Sequence, residues 1–262
     1  MMIRSFRMKK TIALILGIFF SANIAQAQNL TVATASNFTD TLQEIVTLYQ
    51  QSHPQSKITI AQGSTTNIYN QIENGAPFDI FFSADILHAD RLIEKNLALA
   101  EGSRIYAEGI LVLWMPNQKI KNKIKNNGAE ILQQGDFQHL AIAKPEVAPY
   151  GMAARQVLEK LGLWDQLKNK LIYAQNIGEA MSLTASHSVD AGFVAMSQIL
   201  AWQKKNNLNL QNEIWIIPQK FYQPIAQKVV IVKNENSAVA KEFLDFFAEK
   251  KIAEVIRKSG YR

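Results

Sequence analysis

Cysteine is absent from this sequence of 262 residues, and histidine is scarce, with four residues. Without thiols the chain can form neither disulfide bonds nor thiolate metal sites. No histidine is expected in a catalytic arrangement, since the pair His88 and Asp90 is two residues apart on a predicted helix and does not share a face. The motifs G-x-S-x-G, H-E-x-x-H and the phosphate-binding P-loop are missing as well. These absences argue against a hydrolase or a metalloenzyme.

Long apolar runs are also lacking. The run from Ile12 to Phe20 falls short of the about 20 residues that a membrane span needs. Four basic residues between positions 4 and 10 precede it, and the small-x-small sequence Ala25-Gln26-Ala27 follows it. This order predicts a cleaved secretory signal peptide over residues 1–27, with an uncleaved anchor as the alternative. An exported chain without disulfides fits a bacterial periplasm and a fold held by packing alone.

A strong net charge is missing once the signal peptide is set aside. The whole chain has a formal charge of +6, but its first 27 residues hold four basic and no acidic residues, which leaves +2. Such a charge gives no case for nucleic-acid binding. The basic tract KIKNKIKNNG, residues 119–128, is interpreted as a solvated surface segment. The remaining chain is long enough for one large or two small domains with ample core.

Strand-length apolar runs that alternate with helical patterns fill the rest of the sequence. The predicted strands are 30–35, 57–61, 79–82, 110–114, 140–143, 170–173, 191–195, 214–217 and 227–232. The predicted helices are 37–51, 65–73, 84–94, 151–161, 178–185, 196–203 and 237–258. One face of the first helix is apolar at helical spacing, with Phe38, Leu42, Ile45, Val46 and Tyr49. The alternation favours an α/β architecture with mostly parallel sheets.

Four strand-to-helix joints carry small, hydroxyl or amide residues where a catalytic loop would carry acids or bases. These joints contain Ser36 with Asn37, Ser64 with Thr65, Tyr150, and Asn176 with Ile177. Ser36 also fits as the N-cap of the first helix. In open α/β sheets ligands bind beyond the carboxyl ends of the strands, where helix N-termini present free N–H groups and a partial positive charge. Several such ends around one point would form an anion site without a formal countercharge.

Neutral donors can hold an anion with useful affinity. A hydrogen bond to a charged group contributes about 1.5–3 kcal/mol, and a helix end about 0.3–1 kcal/mol. About seven such bonds give on the order of 10–20 kcal/mol before association costs, whereas micromolar to nanomolar binding needs about 8–12 kcal/mol. The site must then be dry and must satisfy every oxygen of the anion. A two-lobed cleft that closes over its ligand would meet both conditions.

Five segments of the chain carry a family resemblance. They are ATASNFTDTLQEI (33–45), STTNIYNQIENGAPFDIFFSAD (64–85), AKPEVAPYGMAARQVLEKLGLWDQL (143–167), QNIGEAMSL (175–183) and DAGFVAMSQ (190–198). Within them GAPFDIFFSAD and PEVAPYG are the most specific. With these segments in this order and spacing, essentially the whole mature chain resembles the periplasmic molybdate-binding proteins, the ModA family of ABC importers.

The resemblance implies a type II periplasmic-binding-protein fold of the α/β class. Two α/β lobes with mixed sheets would be joined by a hinge of two chain crossings, with 28–107 and 225–262 in lobe one and 108–224 in lobe two. The protein would be a monomer without a cofactor that binds molybdate or tungstate between its lobes. It would not be an enzyme, and its closed form would dock on a membrane permease partnered by an ATPase.

The site residues implied by the resemblance are carried over by matching position. The contacts to the oxyanion would be Ser36, Asn37, Ser64, Thr65, Tyr150 and Ile177. Ile177 would act through its main-chain N–H, and the metal atom would have no direct protein ligand. The sequence departs from the family at Ala195, where some members have a tyrosine, and Tyr150 and Asn37 would compensate.

Alternative functions stay open at this point. A binding protein for another tetrahedral oxyanion, such as sulfate, would use the same donors, because sequence does not reveal the size of the cavity. A small carboxylate would usually require an arginine for bidentate pairing, and none lies in the four joints. A secreted enzyme acting on phosphate or sulfate esters would need a base or a metal at the cleft.

Overall fold

The computed structural model describes residues 29–116 and 124–262. The predicted signal peptide therefore lies outside the described residues, as do residues 119–123 of the basic tract. Within the described residues no helix is both long enough and apolar enough to span a membrane.

The described chain alternates strands and helices. The strands are β1 (Asn29–Ala35), β2 (Lys57–Gly63), β3 (Ile80–Ser83), β4 (Ala98–Gly109), β5 (Leu111–Trp114), β6 (Leu140–Ala143), β7 (Leu171–Ala174), β8 (Ala191–Ala195), β9 (Ile214–Ile216) and β10 (Ile225–Val232). The helices are α1 (Thr39–Ser52), α2 (Thr65–Glu73), α3 (Leu87–Glu94), α4 (Ile124–Gln134), α5 (Pro149–Lys160), α6 (Trp164–Leu167), α7 (Ile177–Ala185), α8 (Met196–Asn206), α9 (Ser237–Phe247) and α10 (Lys250–Lys258). Short 3₁₀ turns cover Ser36–Phe38, Lys168–Lys170 and Gln219–Phe221.

The strands form two five-stranded sheets, in the orders β2-β1-β3-β10-β4 and β7-β6-β8-β5-β9. In each sheet the three strands at one end run parallel, whereas β10 and β5 run antiparallel to both of their neighbours. The sheets are therefore mixed, and the expectation of mostly parallel sheets from strand–helix alternation is wrong. The antiparallel strands arise because the chain passes from one sheet to the other and back instead of continuing each βα series.

The chain crosses between the two sheets twice. Strand β4 ends in the first sheet at Gly109 and β5 begins in the second at Leu111. The return runs from the end of β9 at Ile216 to the start of β10 at Ile225. The result is two α/β lobes with mixed sheets joined by two crossings.

Each lobe has a core on both faces of its sheet. In the first lobe Phe82 and Val229 pack with α1 and α9, whereas their neighbours Phe81 and Val230 pack with α2 and α3 on the other face. Adjacent strand residues point to opposite faces of the sheet, so two consecutive apolar residues contribute one side chain to each core. The predicted apolar face of α1, from Phe38 to Tyr49, is buried throughout.

Several elements differ from the sequence prediction. Strand β4 and helices α4 and α6 were not predicted, and the single helix predicted over 237–258 is two helices, α9 and α10. The break falls at Glu249, which adopts an extended conformation without a glycine or proline to signal it. Strand β4 is an edge strand of its sheet, and most of its residues are at least partly exposed, so its pattern lacks the apolar signal of a strand.

Candidate functional site

The four joints converge on one small cavity between the lobes. About 190 Å³ of space is not filled by atoms here, open solvent at the mouth included, and all six predicted site residues line it: Ser36, Asn37, Ser64, Thr65, Tyr150 and Ile177. The other lining residues are Ala35, Gly63, Ala84, Ala148 and Pro149. The first two joints belong to the sheet of β1 and β2, and the other two belong to the sheet of β6 and β7.

The first joint places Ser36 and Asn37 on a 3₁₀ turn directly after β1. The expectation that Ser36 is the N-cap of the first helix is wrong, because the turn intervenes and no side chain caps it or α1. The hydroxyl group of Ser36 instead donates to the carbonyl oxygen of Gly63, at 2.9 Å. This bond links the first joint to the second joint. In this conformation the hydroxyl hydrogen of Ser36 is therefore not available to a ligand.

The second joint leaves a hydroxyl group unused. Ser64 precedes α2 in an extended conformation but does not cap it, and its buried Oγ has no hydrogen-bond partner. Thr65 follows it and accepts a hydrogen bond from the main-chain N–H of Ala84 at 3.2 Å. Native proteins rarely leave a buried polar atom unpaired, so an orphaned Ser64 hydroxyl beside a cavity points to a ligand.

The third joint brings in Tyr150, at the start of α5. Pro149 occupies the first turn of this helix, where a missing N–H costs nothing. Gly151 lets the helix lie close to β6, because a Cβ atom there would be 2.2 Å from the carbonyl oxygen of Ala143. Tyr150 is buried at 1% exposure and accepts a hydrogen bond from Gln227 Nε2 at 3.3 Å. Burial raises the pKa of Tyr150 well above its ordinary value, so the side chain stays a neutral donor.

The fourth joint offers main-chain donors at the N-terminus of α7. Asn176 caps this helix by accepting from the N–H of Glu179 at 3.0 Å, and Glu179 reaches back to the N–H of Gln175 at 2.5 Å. The first N–H groups of a helix have no partner inside it, and this cap satisfies only the third of them. The N–H groups of Ile177 and Gly178 are thus left at the cavity and its mouth, since Gly178 lines the groove outside.

Uncharged groups dominate the electrostatics of the cavity. None of its lining residues carries a formal charge, and the part of the chain that the structure describes has no cluster of acidic, histidine or cysteine residues suited to a metal ion. Hydroxyl hydrogens and helix N-termini suit an anion, and the partial positive charge of each helix end adds to them. Ala195, which holds no side-chain donor, does not line the cavity, whereas Tyr150 does.

The structure also reveals supporting residues that sequence reasoning missed. The amide nitrogen of Asn37 donates to Gln227 Oε1 at 2.9 Å and to the Tyr261 hydroxyl at 3.1 Å. Ser197, from the other lobe, donates to the carbonyl oxygen of Asn37 at 2.8 Å. No local motif marks Gln227, Tyr261 or Ser197, because each reaches Asn37 from more than 100 positions away along the chain. The signal in the sequence is limited to polar side chains within apolar segments.

His88 has partners that the sequence prediction overlooked. Its Nδ1 lies 2.8 Å from Asp85 Oδ2 and its Nε2 lies 3.1 Å from Thr66 Oγ1. Asp85 also accepts the main-chain N–H of His88 at 2.9 Å. The carboxylate that pairs with His88 is thus that of Asp85 at i−3, and not that of Asp90, which the sequence prediction considered. Thr66, Asp85 and His88 do not line the cavity, although Ala84, the residue before Asp85, does.

Comparisons with known proteins agree with this geometry. A family model described as bacterial extracellular solute-binding protein matches residues 30–262. The molybdate-binding protein ModA of Azotobacter vinelandii is 38% identical over 94% of this chain and 94% of its own length. The ModA protein of Rhodobacter capsulatus is 35% identical over 95% of this chain and 93% of its own.

A solved structure supports the same relationship. The periplasmic molybdate-binding protein of Azotobacter vinelandii superimposes with a TM-score of 0.81 at 35% identity, over 89% of this chain and 98% of that one. The two α/β lobes with mixed sheets thus form a type II periplasmic-binding-protein fold, as the sequence resemblance implied. The chain belongs to the bacterial extracellular solute-binding protein family and, within it, to the family of the ModA proteins.

Proposed function

We propose that this protein binds molybdate and tungstate reversibly, as the periplasmic solute-binding component of an ABC importer. The observation that carries the proposal is the cavity itself, where both lobes place uncharged donors and the buried Ser64 hydroxyl lacks a partner. The ModA relatives are named for molybdate binding, and their similarity spans nearly the whole chain. The family is one of transport solute-binding proteins and not of enzymes.

The proposed contacts are six of the eleven lining residues. Ser64 and Tyr150 would donate through hydroxyl hydrogens that no atom of the described chain accepts. Ile177 would donate through its main-chain N–H, and Asn37 and Thr65 would donate from the first turns of their helical segments. Ser36 would contribute after its hydroxyl turns from Gly63, or through its main-chain N–H. The molybdenum atom would have no direct protein ligand.

The proposed lobes are residues 28–107 with 225–262, and residues 108–224. The two sheets support this division, because β4 ends at Gly109 and β10 begins at Ile225. Ligand would favour the closed arrangement, since only there do donors from both lobes reach one anion. The closed monomer would then dock on a membrane permease partnered by an ATPase, with no role for nucleic acid.

The proposed location is the periplasm, reached by means of a signal peptide cleaved after Ala27. The basic head, the short apolar run and the small-x-small site support export. The family description, an extracellular solute-binding protein, agrees with it. Mass spectrometry of the protein recovered from the periplasm would identify its first residue, with Gln28 expected.

A titration series tests the proposed function. Calorimetry and thermal melting of the mature protein would be carried out with molybdate, tungstate, sulfate, phosphate and chromate. Molybdate at 100 times its Kd should stabilise the fold by about 2.7 kcal/mol, and tungstate should act similarly. Equal stabilisation by sulfate would replace the assignment with the broader oxyanion binder, and no effect of any anion would contradict a binding site at this cavity.

A further inference from the structure

Gln227 is a buried residue that forms hydrogen bonds to both halves of the proposed binding site. It lies near the start of β10, just after the second crossing, and its side chain is completely buried at 0% exposure. Its Oε1 accepts from Asn37 Nδ2 at 2.9 Å and from the Tyr106 hydroxyl at 2.8 Å. Its Nε2 donates to the Tyr150 hydroxyl at 3.3 Å. One amide therefore contacts a site residue from each lobe.

The hydrogen bonds of Tyr261 determine which atoms donate and which accept in the hydrogen bonds of Gln227. The hydroxyl of Tyr261 donates its single hydrogen to the carbonyl oxygen of Asn37 at 2.7 Å, so it can only accept from the Asn37 side chain. That requirement turns Asn37 Nδ2 toward Tyr261 and toward Gln227. Gln227 must then present its oxygen to Asn37, and its own nitrogen is left to face Tyr150.

The hydrogen bond from Gln227 determines where the hydroxyl hydrogen of Tyr150 can point. Because Gln227 donates to the hydroxyl oxygen, the hydrogen of Tyr150 cannot point back at Gln227. Among the described residues the structure gives that hydrogen no acceptor, and Tyr150 lines the cavity. The raised pKa of Tyr150, caused mainly by burial, keeps this hydrogen in place.

The backbone leaves room for this arrangement at Gly109, the last residue of β4 before the first crossing. A Cβ atom at Gly109 would lie 2.1 Å from the Tyr150 hydroxyl and 2.8 Å from Gln227 Nε2. Any side chain there would displace both groups. The contact between Gln227 and Tyr150 thus depends on glycine at the crossing.

We propose that Gln227 is a positioning residue that directs the Tyr150 hydroxyl hydrogen into the cavity, where an oxyanion accepts it. The inference rests on the proposed function, because it assigns Tyr150 the role of a donor to the ligand. Gln227 itself does not line the cavity. Its effect on affinity must pass through the groups that it orients, chiefly Tyr150.

A double-mutant cycle with calorimetry tests this role. Molybdate affinity would be measured at pH 7.5 for the wild type, Gln227→Met, Tyr150→Phe and the double variant. Gln227→Met should weaken binding about tenfold when Tyr150 is present and less than threefold when Phe replaces it, since contacting residues couple. Equal losses in both backgrounds, or unchanged affinity in a cooperatively folded Gln227→Met protein, would overturn the proposal.

A second variant covers the case in which Gln227→Met does not fold. Gln227→Glu keeps the shape but, once ionised, can only accept, so Tyr150 would turn its hydrogen toward the carboxylate. A buried carboxyl has a raised pKa, and affinity in this variant should fall as pH rises from 6 to 9 while the wild type stays constant. Gln62→Glu, at the mouth of the cleft, adds the same charge without touching Tyr150 and should show no such slope. A flat profile for Gln227→Glu would contradict the inference.

The wild-type titration separates the proposed function from the role of Gln227. Failure of the wild type to bind molybdate would remove the proposed function. If it binds another oxyanion, the same variants would be compared with that anion. Normal wild-type binding with variants that fit neither expectation would remove only the role of Gln227.

Discussion

Ser64 carries a buried hydroxyl group that no protein atom satisfies. Leaving such a group unpaired costs about 1–3 kcal/mol in the ligand-free protein, whereas a hydrogen bond to a charged ligand contributes about 1.5–3 kcal/mol. If Ser64 contacts the ligand as we propose, its hydroxyl group lowers the stability of the ligand-free protein and raises the affinity for the ligand. We expect the Ser64 hydroxyl group to lower the free energy of unfolding without ligand and to raise the affinity for molybdate.

The variant Ser64→Ala tests this trade. Molybdate affinity should fall by about tenfold or more, because one hydrogen bond to a charged group is lost. The free energy of unfolding without ligand should stay the same or rise by about 1 kcal/mol, because the orphaned hydroxyl is gone. Calorimetry and urea denaturation measure the two quantities. Ser186→Ala, at an exposed helix end, is the control, and a stability loss in Ser64→Ala would contradict the account.

Three buried tyrosines beneath the site predict a decline in stability at high pH. Burial is the main cause that raises the pKa of Tyr106, Tyr150 and Tyr261 above the ordinary value of 10.0. Since the unfolded chain releases these protons first, the stabilisation is complete below about pH 10 and is lost as pH rises further. Each tyrosine contributes about 1.4 kcal/mol per pH unit in that range.

Urea denaturation of the ligand-free protein between pH 8 and 11 measures this decline. Tyr150→Phe should have a shallower slope than the wild type above pH 10, because one of the three protons no longer takes part. Identical slopes would show that Tyr150 does not keep its proton on folding. Molybdate affinity of the wild type should meanwhile stay constant from pH 7 to 9, where all three phenols are neutral.

At the scale of elements, the N-terminus of α7 faces the first joint across the cleft. A Cβ atom at Gly178 would lie 3.1 Å from Ser36 Cβ and 3.0 Å from Asn176 Oδ1, closer than ordinary contacts. Glycine at this position therefore allows the helix end of one lobe to approach the turn of the other. The approach keeps the cavity small enough for its uncharged donors to act together.

Gly178→Ala should separate binding from stability. The added methyl group should push α7 away from Ser36 and weaken molybdate binding about tenfold. The melting temperature without ligand should be unchanged or slightly higher, since alanine is the better helix former. Calorimetry and thermal melting check both, with Ser182→Ala one turn later on α7 as the control. Unchanged affinity in Gly178→Ala would mean that the lobes do not need this approach.

Elements with a strong local pattern were the ones that sequence reasoning located. Helix α2 and strands β6 and β8 have the predicted bounds, because apolar periodicity and stop signals define them. Strand β4 was not predicted because its residues are partly exposed and lack an apolar pattern. They form a strand because they pair with β10. The break between α9 and α10 was not predicted because no glycine or proline marks it.

At the scale of the whole molecule, two lobes enclose a cavity with no formal charge in its lining, which we propose as the anion site. Exposed charges do cross between the lobes, as in the pair Lys204 and Glu44 at 3.3 Å. Such exposed pairs contribute at most about 1 kcal/mol and are screened by salt. We therefore expect closure to depend on the ligand and on buried contacts between the lobes, such as the hydrogen bond from Ser197 to the carbonyl oxygen of Asn37.

Ionic strength distinguishes this design from a site that uses lysine or arginine. Molybdate affinity should change less than about threefold between 20 mM and 500 mM NaCl, because buried dipoles are screened far less than exposed charges. Lys204→Ala should bind molybdate as the wild type does at both salt concentrations. A steep loss of wild-type affinity with salt would indicate a charged contact to the anion, contrary to the proposal.

The sequence by itself determined the α/β class, most strands and helices, the apolar face of α1 and the four joints, because each is encoded by neighbours within a few positions. The family resemblance supplied the six residues that line the cavity. Tertiary structure alone decided that Ser36 donates to Gly63, that Ser64 is left unpaired, and that Gln227 joins Asn37 to Tyr150. These contacts connect residues between 27 and 190 positions apart, and a hydrogen bond at that separation depends on how the whole chain packs.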